Sequence, residues 1–253
     1  MLRFYSVIIF AIPLILYYIL AAEYYVRHEE KYDEFKCYQL ALRIIKSLKK
    51  RARIDTIAID ADKLPAQGGY IMYSNHQGKY DALGIMDVHK EPCTVVMDAE
   101  KSRVILTNSV MKLIRGKRLE RHDFKQQTKE LLALTEETKN GRRYIYFPEG
   151  KYEHNGNHLQ EFRPGAFKCA KMAKVPIVPV AIYDSHLPFD YNSFKRVTTQ
   201  VCFMDPIPYE EYKDKSTQEI SCMVKELIEN KLADLEENRK AHGYNTGFKI
   251  YQN

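Results

Sequence analysis

His76 and Asp81 are the residues whose types and spacing in this sequence best fit acid–base chemistry. They lie in the segment NHQGKYD (75–81), directly after YIMYS (70–74), an apolar run typical of a β-strand. In a continuous helix, side chains at this spacing point about 140° apart, so the two meet only if the chain turns, and Gly78 permits a turn. If they meet, Asp81 accepts the proton of one imidazole nitrogen and leaves the other as a base. Taken alone, the spacing also fits an ordinary surface pair.

A second candidate is Glu149, which lies between Pro148 and Gly150 in FPEG (147–150). The apolar run YIYF (144–147) is typical of a strand, and loops at strand ends are where functional side chains are usually found. The position therefore fits a carboxylate at the rim of a pocket. The tetrapeptide alone fits a plain strand-to-loop turn equally well.

Other catalytic and metal-binding patterns are weak in this sequence or missing from it. His154 and His158 are four residues apart, but the intervening Asn-Gly-Asn is a turn rather than a helix, so we expect no zinc and no other metal site. Neither a G-x-S-x-G elbow nor a P-loop occurs, which argues against a serine hydrolase or an NTPase. The five cysteines are scattered without a CxxC pair, and we expect reduced thiols in a cytosolic compartment.

The composition favours a globular protein with, at most, a local membrane segment. Apolar residues make up 45% and charged residues 28% of the 253 residues, enough for a sizeable core. The mean hydropathy of −0.45 excludes a polytopic membrane protein. The net charge of +6 suits anionic partners. A basic run at 48–53 adjoins the apolar N-terminal segment and lacks stacking aromatics, so we expect membrane lipids as partners and no nucleic acid.

The elements that must position these residues are strands and helices in alternation. This order predicts an α/β fold with a central mixed β-sheet flanked by helices. One helix is expected from Asp123, a candidate N-cap, to Asn140, and another from the capping box of Ser216 and Glu219 to about Gly243. The expected strands are 54–60, 70–74, 94–98, 144–147, 177–183 and 197–203.

The N-terminal segment 4–22 carries no charge and predicts a membrane-anchoring helix. Its length as a helix is about 28 Å, just short of a ~30 Å hydrocarbon core, and Pro13 is expected to kink it. The alternatives are a spanning helix, a helix that dips into one leaflet, and a signal peptide, which the poor cleavage pattern disfavours. Basic residues follow the segment and only Arg3 precedes it, so we expect the catalytic part at the cell membrane, on the cytoplasmic face.

A second amphipathic helix is predicted over 31–52, where apolar side chains recur at helical spacing. This stripe either packs against the main domain or lies on an anionic bilayer. The sequence therefore divides into residues 1–53, a membrane anchor with an amphipathic helix, and residues 54–253, the catalytic domain.

Four blocks occur in an order that resembles the glycerolipid acyltransferases, which include the 1-acyl-sn-glycerol-3-phosphate (lysophosphatidate) acyltransferases. The blocks are NHQGKYD (75–81), a basic segment that ends in Arg121, FPEG (147–150) and VPIVP (175–179). The resemblance covers roughly residues 65–205. It implies transfer of a fatty acyl group from a thioester of acyl carrier protein (ACP) or coenzyme A (CoA) to the hydroxyl of lysophosphatidate, which gives phosphatidic acid. The thioester is then a co-substrate, and no cofactor is implied.

By this resemblance, His76 is the general base and Asp81 orients it. The roles are chemically coherent, because an alcohol needs a proton acceptor as it attacks and an arginine binds phosphate in a bidentate manner. Arg121 is expected to bind the acceptor phosphate, and Pro176 to shape the acyl or acceptor pocket. The expected substrate-binding residues are Asn75, Arg121, Phe147, Pro148, Glu149, Gly150, Lys151 and Pro176.

Two departures from the family pattern concern the acceptor. Many members have Thr-Arg-Ser after FPEG, whereas this chain has Lys-Tyr-Glu at 151–153, so Lys151 or Arg163 would have to supply the positive charge. The second block is also more basic than usual, which leaves Arg118 as an alternative to Arg121. A different lysophospholipid or an acylated amino-acid lipid is therefore an alternative acceptor. The alternative from another class is a non-catalytic lipid-binding protein of the same fold.

Overall fold

The computed structural model describes residues 2–190, 195–244 and 250–251. Its strands are β1 (Ile54–Ile59), β2 (Tyr70–Ser74), β3 (Thr94–Asp98), β4 (Lys117–Leu119), β5 (Arg143–Tyr146), β6 (Ile177–Tyr183), β7 (Val197–Phe203) and β8 (Ile250–Tyr251). Its α-helices are α1 (Leu2–Phe10), α2 (Ile12–Arg27), α3 (Glu34–Ala52), α4 (Asp81–Val88), α5 (Ala99–Ser102), α6 (Ile105–Leu113), α7 (Phe124–Lys139), α8 (Lys168–Ala173), α9 (Leu187–Asp190), α10 (Tyr209–Tyr212) and α11 (Thr217–His242). The apolar runs predicted all of the strands except β4 and β8, which are too short to give a periodic signal.

The strands of the described residues form one mixed sheet in the order β4-β3-β5-β2-β6-β7-β1-β8. The strands from β4 to β6 are parallel to one another. β7 is antiparallel to β6 and parallel to β1, and the two-residue β8 pairs antiparallel with β1 at the edge. The predicted α/β fold with a central mixed sheet is therefore confirmed.

Helices cover both faces of this sheet. Every side chain of β2 and of β6 is buried, because strands covered on both faces are continuous apolar runs rather than alternating ones. One apolar cluster joins the sheet to α3, α4 and α6, and the other joins it to α7, α8 and α11. The sheet is thus a central layer that fixes the loops at its strand ends.

The C-terminal helix α11 begins at the predicted capping box. The Ser216 hydroxyl accepts the Glu219 backbone N–H, and the Glu219 carboxylate accepts the Ser216 backbone N–H at 2.7 Å. This reciprocal pair satisfies two N–H groups that a helix start otherwise leaves unpaired. The buried face of the helix contains Ile220, Val224, Ile228, Leu232 and Leu235, and Leu227 lies at its exposed margin.

The N-terminal segment forms two helices instead of the single predicted one. α1 ends at Phe10 and α2 begins at Ile12, with Pro13 in the first turn of α2. Proline has no N–H and its ring clashes with the preceding turn, so it is tolerated in a first turn but not in a helix interior. None of the helices in the described ranges is long and apolar enough to cross a membrane, which contradicts the spanning alternative.

The predicted amphipathic helix is α3, and most of its apolar stripe packs against the sheet domain. Tyr38 and Ile45 are buried there, whereas Phe35 is exposed. Lys49 of α3 also forms an ion pair with Asp87, a buried residue of α4. Most of this stripe therefore packs against the main domain, which was one of the two alternatives for this helix. The domain division at residue 53 stays a prediction.

Candidate active site

The two candidate segments meet at one edge of the sheet. β2 and β5 are adjacent and parallel, with Tyr73 opposite Tyr146. Parallel neighbours end at the same edge, so the loops that follow them lie side by side. These loops are the segments 75–81 and 147–150, and the sheet brings them together although they are far apart in the sequence.

The imidazole of His76 bonds to the carboxylate of Asp81, with 2.6 Å between Nδ1 and Oδ2. A carboxylate only accepts hydrogen bonds, so Nδ1 carries the proton and the lone pair of Nε2 stays available. Asp81 is the first residue of α4, where a negative charge is favourable. Its side chain is 0% exposed, whereas that of His76 is 20% exposed. The pair thus combines a shielded carboxylate with a partly accessible imidazole.

Hydrogen bonds to Asp81 also make the turn between the two residues. Its Oδ2 accepts the backbone N–H of Gln77 and, at 2.8 Å, that of Gly78. The φ angle of Gly78 is not in the left-handed region, and a Cβ there would lie 3.5 Å from the Cα of His186, an ordinary contact. The turn predicted at Gly78 therefore exists, but the Asp81 carboxylate makes it rather than glycine's freedom of φ.

Two aromatic rings enclose the imidazole of His76. Phe147 stacks on it with 4.4 Å between ring centroids, and Tyr152 stands edge-on at 4.9 Å. Such contacts restrict the orientation of the imidazole through packing. Phe147, predicted to bind substrate, thus supports the candidate base. The sequence analysis missed Tyr152, whose signal is an aromatic residue two positions after FPEG.

Glu149 lies behind His76, and both of its carboxylate oxygens accept protein donors. Oε1 accepts the backbone N–H of His76 at 3.0 Å, and Oε2 accepts the Gln160 amide at 2.6 Å. Burial raises the pKa of Glu149 to about 7, although the hydrogen bond from the backbone N–H of His76 acts in the opposite direction. Glu149 therefore holds the backbone of the His76 segment in place.

Two amide side chains fix the same segment to the end of β6. Asn75 donates to the carbonyl of Ile182 at 2.9 Å and accepts its N–H at 2.8 Å. Gln77 donates to the same carbonyl at 3.0 Å and accepts the N–H of Ser185 at 2.8 Å. Asn75 was predicted to bind substrate, but the structure turns it toward the protein. Gln77 was missed, and its signal is a long amide side chain directly after the candidate base.

A positive charge lies at Gly150, the end of FPEG. Gly150 has a φ of +77°, and a Cβ there would come within 2.8 Å of the guanidinium carbon of Arg163. Glycine is thus required both for the backbone conformation and for the close approach of the guanidinium. Arg163 is exposed and pairs with no carboxylate in the described residues, whereas Lys151 pairs with Glu153. The carbonyl of Pro148 accepts the backbone N–H of Arg163 at 2.9 Å.

The structure does not bring the other two predicted residues to His76. Arg121 follows β4 and bonds to Asp98 at 2.6 Å; β4 lies three strands from β2, or roughly 14 Å. Pro176 precedes β6 at its other end, because Ile71 of β2 is opposite Ile177. Six residues of extended chain, roughly 20 Å, therefore separate it from the level of His76. Strand polarity is the reason, and it leaves the predicted pocket role of Pro176 without geometric support.

An apolar cavity of about 90 Å³ lies between α3, α4, β3 and α6. Ala82 and Leu83, which directly follow Asp81 in the chain, belong to its lining, whereas His76 and Asp81 do not. The remaining lining is apolar except for one threonine: Ile44, Ile45, Leu48, Met86, Val95, Met97, Leu106, Thr107, Val110, Met111 and Ile114.

The remaining histidines near the site do not form a metal centre. His154 bonds to Asp190 at 3.1 Å. Across residues 2–190, 195–244 and 250–251, no group of three or more His, Cys, Asp or Glu residues is placed to hold a metal ion.

Comparisons with known proteins agree with this architecture. Residues 57–183, just over half of the chain, match the family model described as Acyltransferase. The 1-acyl-sn-glycerol-3-phosphate acyltransferase of Salmonella typhimurium is 25% identical over 170 residues, which are 67% of this chain and 69% of that protein. The human 1-acyl-sn-glycerol-3-phosphate acyltransferase alpha is 33% identical over 156 residues, which are 59% of this chain and 54% of that one.

A solved structure has the same fold. The 1-acyl-sn-glycerophosphate (LPA) acyltransferase PlsC from Thermotoga maritima superposes with a TM-score of 0.69 at 18% sequence identity, covering 90% of this chain and 97% of that one. At this identity the likeness concerns the fold, and the family follows from the matched sequence model. This chain belongs to the acyltransferase family.

Proposed function

We propose that this enzyme transfers a fatty acyl group from an ACP or CoA thioester to the hydroxyl of lysophosphatidate and so forms phosphatidic acid. The observation that carries the proposal is the hydrogen bond from His76 Nδ1 to Asp81, which leaves Nε2 as a base in a partly open site. The names of the bacterial and human relatives support lysophosphatidate as the acceptor.

The proposed reaction is a direct transfer without an acyl-enzyme. Nε2 of His76 takes the proton of the acceptor hydroxyl while the oxygen attacks the thioester carbonyl. The C–O bond forms, the C–S bond breaks, and the imidazolium returns the proton to the departing thiolate. Asp81 stabilises the imidazolium during these steps. A base in this position typically contributes about 10²- to 10⁴-fold to the rate.

The acceptor phosphate has one well-placed cation. Arg163 lies against Gly150 and has no carboxylate partner in the described residues, so its guanidinium is free to bind a phosphate. Lys151 is adjacent but already pairs with Glu153, and Arg121 pairs with Asp98 on a more distant strand. We therefore assign the phosphate first to Arg163, with Lys151 and Arg121 as secondary contributors.

The enzyme has an apolar cavity that could hold the acyl chain and an exposed apolar surface that could bind the bilayer. The cavity between α3, α4, β3 and α6 is lined almost entirely by apolar side chains, as an acyl chain requires. On α1 and α2 several large apolar side chains are exposed, among them Ile9, Phe10, Leu16 and Leu20. We propose that this surface holds the enzyme on the cytoplasmic face of the cell membrane, because exposed apolar patches of this kind mark interaction sites.

The test is acyl transfer by the full chain in detergent-solubilised membranes, with lysophosphatidate as acceptor and with ACP and CoA thioesters offered separately. Phosphatidic acid formation would support the reaction, and the preferred thioester would identify the donor. Inhibition by glycerol phosphate would indicate a pocket that binds phosphate. If lysophosphatidate is inert but another lysolipid is acylated, the acceptor assignment is wrong and the acyl-transfer chemistry stands. Absence of turnover with every acceptor offered, together with tight lysolipid binding, would favour the non-catalytic alternative.

Arg163→Gln and Arg121→Gln form a matched pair for the phosphate assignment. Arg163→Gln is expected to raise the KM for lysophosphatidate about tenfold or more, because a hydrogen bond to a charged group contributes about 1.5–3 kcal/mol. Arg121→Gln should raise it less, since Arg121 is already paired with Asp98. Steady-state kinetics against acceptor concentration measures both KM values. A larger KM increase in Arg121→Gln than in Arg163→Gln would place the phosphate site at the β4 edge instead.

A further inference from the structure

The segment 151–160, here called the Asn157 loop, follows FPEG and contains no helix or strand, yet side-chain hydrogen bonds hold it in place. We propose that Asn157 is a positioning residue that fixes this loop so that Tyr152 stays against His76 and water is kept from the acyl thioester. This inference rests on the proposed acyl transfer and adds to it a device that favours transfer over hydrolysis.

One amide side chain joins the loop to two parts of the site. Asn157 Oδ1 accepts the amide of Gln77 and the backbone N–H of Asp184, both at 2.8 Å. Its Nδ2 donates to Asp184 Oδ1 at 3.0 Å. Gln77 directly follows His76, and Asp184 directly follows β6. Both hydrogen-bonding groups of Asn157 are therefore used, and they join the loop to the segment that carries the candidate base.

Asp184 is a rigid attachment point for the loop. It is 2% exposed and adopts a left-handed φ of 60°, a backbone conformation that persists only where surrounding contacts enforce it. Its Oδ2 accepts the hydroxyl of Tyr244 at 2.7 Å and lies 3.1 Å from the guanidinium of Arg239. The end of α11 thus holds Asp184 in place, and Asp184 holds Asn157.

The first and last parts of the loop contact the base and its support. Tyr152 stands edge-on to the His76 ring at 4.9 Å. Gln160 donates to Glu149, whose other oxygen accepts the backbone N–H of His76. Asn157 lies between these two contacts in the chain. Releasing Asn157 would therefore loosen Tyr152 and Gln160 together and open one side of the imidazole.

The consequence is chemical, because water and the acceptor hydroxyl compete for the same thioester. If water attacks, a C–O bond to water forms, the C–S bond breaks, and the products are a free fatty acid and a thiol. The same base, His76, serves both reactions. Closed walls around a base exclude water from such a reaction, so a loosened Asn157 loop should shift the enzyme from transfer toward hydrolysis.

The experiment compares Asn157→Ala, Asn157→Asp and Asp184→Asn with the double variant Asn157→Asp/Asp184→Asn in the full chain. Asn157→Ala should lower kcat for transfer about tenfold or more and raise the share of thioester lost as free fatty acid. Asn157→Asp places two carboxylates at this contact and should do the same. The double variant restores a donor–acceptor pair in reversed order but removes the Asp184 charge that faces Arg239, so transfer and its share of turnover should recover in large part.

A second readout needs no turnover. Diethyl pyrocarbonate modifies exposed imidazoles, and mass spectrometry of the modified peptides separates His76 from His122, which is exposed and serves as the internal reference. Modification of His76 should be several-fold faster in Asn157→Ala and return to the wild-type rate in the double variant. Thermal unfolding checks that each variant is folded. If Asn157→Ala is unfolded, the comparison of Asn157→Asp with the double variant tests the inference.

Two results would overturn the inference. One is a folded Asn157→Ala enzyme with the wild-type ratio of transfer to hydrolysis and unchanged His76 modification. The other is a double variant that is no better than Asn157→Asp in either readout. Failure of the proposed function is distinguishable, because it shows as a wild-type enzyme that makes no phosphatidic acid while the modification rates still report on the Asn157 loop.

Discussion

Two histidines lie at opposite ends of the short helix α4 and have different surroundings. His76 precedes the helix by five residues, and His89 follows it directly. His89 is 1% exposed; its Nδ1 donates to the carbonyl of Glu91 at 2.6 Å, and its Nε2 accepts the hydroxyl of Tyr70 at 2.7 Å. Burial lowers the pKa of His89 to about 4. His89 is thus a neutral residue of the core.

The two imidazoles share a tautomer but not a role. In both, Nδ1 donates to an oxygen, which leaves Nε2 as the acceptor. In His89 a buried hydroxyl occupies Nε2 and the Nδ1 partner is an uncharged carbonyl. In His76 the Nδ1 partner is a carboxylate, which can stabilise an imidazolium, and the side chain is partly exposed. A histidine base therefore needs a free nitrogen and a charged partner, and of these two histidines only His76, paired with Asp81, has both.

Removal of the candidate base should have the largest effect. His76→Ala is expected to lower kcat/KM for acyl transfer by about 10²- to 10⁴-fold or more, because no described side chain is placed to replace Nε2. The fold should survive, since Asp81 keeps the backbone N–H groups of Gln77 and Gly78, although the lost ring contacts should lower the unfolding temperature somewhat. Near wild-type turnover in the variant would exclude His76 as the base.

Changing the partner of His76 should come next. Asp81→Asn keeps an oxygen that can accept the N–H groups of Gln77 and Gly78, so the turn should survive. The neutral amide does not stabilise the imidazolium and no longer enforces the tautomer, and kcat should fall by about 10²- to 10³-fold. Rapid kinetics and circular dichroism measure the two effects. A large loss of structure with normal specific activity would make Asp81 a purely structural residue.

The opposite pattern is expected at the other end of α4. His89→Ala leaves the Tyr70 hydroxyl and the Glu91 carbonyl without their partner, which should lower the free energy of unfolding by about 1–3 kcal/mol. The kcat per folded molecule should stay within experimental error of the wild type. Urea denaturation and active-site-normalised kinetics would check this, with Tyr70→Phe as the milder control. A selective loss of kcat would break the contrast between the two histidines.

The last prediction concerns the pH dependence of stability at Glu149. Its folded pKa, raised to about 7 from the ordinary 4.5, means that the folded state binds the proton more tightly than the unfolded state. The stabilisation is therefore fully present below about pH 4.5 and is lost as the pH rises through 7, by about 3 kcal/mol. Glu149→Gln should remove this decline. Urea denaturation at pH 5 and pH 7.5 measures the free energy of unfolding at each pH. An equal change between the two pH values in the wild type and in Glu149→Gln would contradict the prediction.

Six of the eight described strands and both chemical segments could be predicted from local patterns. The apolar runs of β2 and β6 are continuous because both faces of the sheet are covered, and the histidine and FPEG follow strand ends in the sequence itself. The capping box at Ser216 and the family resemblance likewise need only neighbouring residues. The sequence predicted a kink at Pro13. It did not predict that the chain forms two separate helices there, with Pro13 in the first turn of the second.

The element types, the family and the two segments that carry the chemistry could thus be predicted without a structure, since they depend on residues close together in the chain. Which side chains meet depends on the three-dimensional fold. Strand order and polarity put Pro176 at the far end of β6 and Arg121 on a distant strand. The fold of the loop after β5 brought Arg163 to Gly150 and Asn157 to Gln77. No periodicity encodes such contacts, because each depends on how distant segments pack around one sheet.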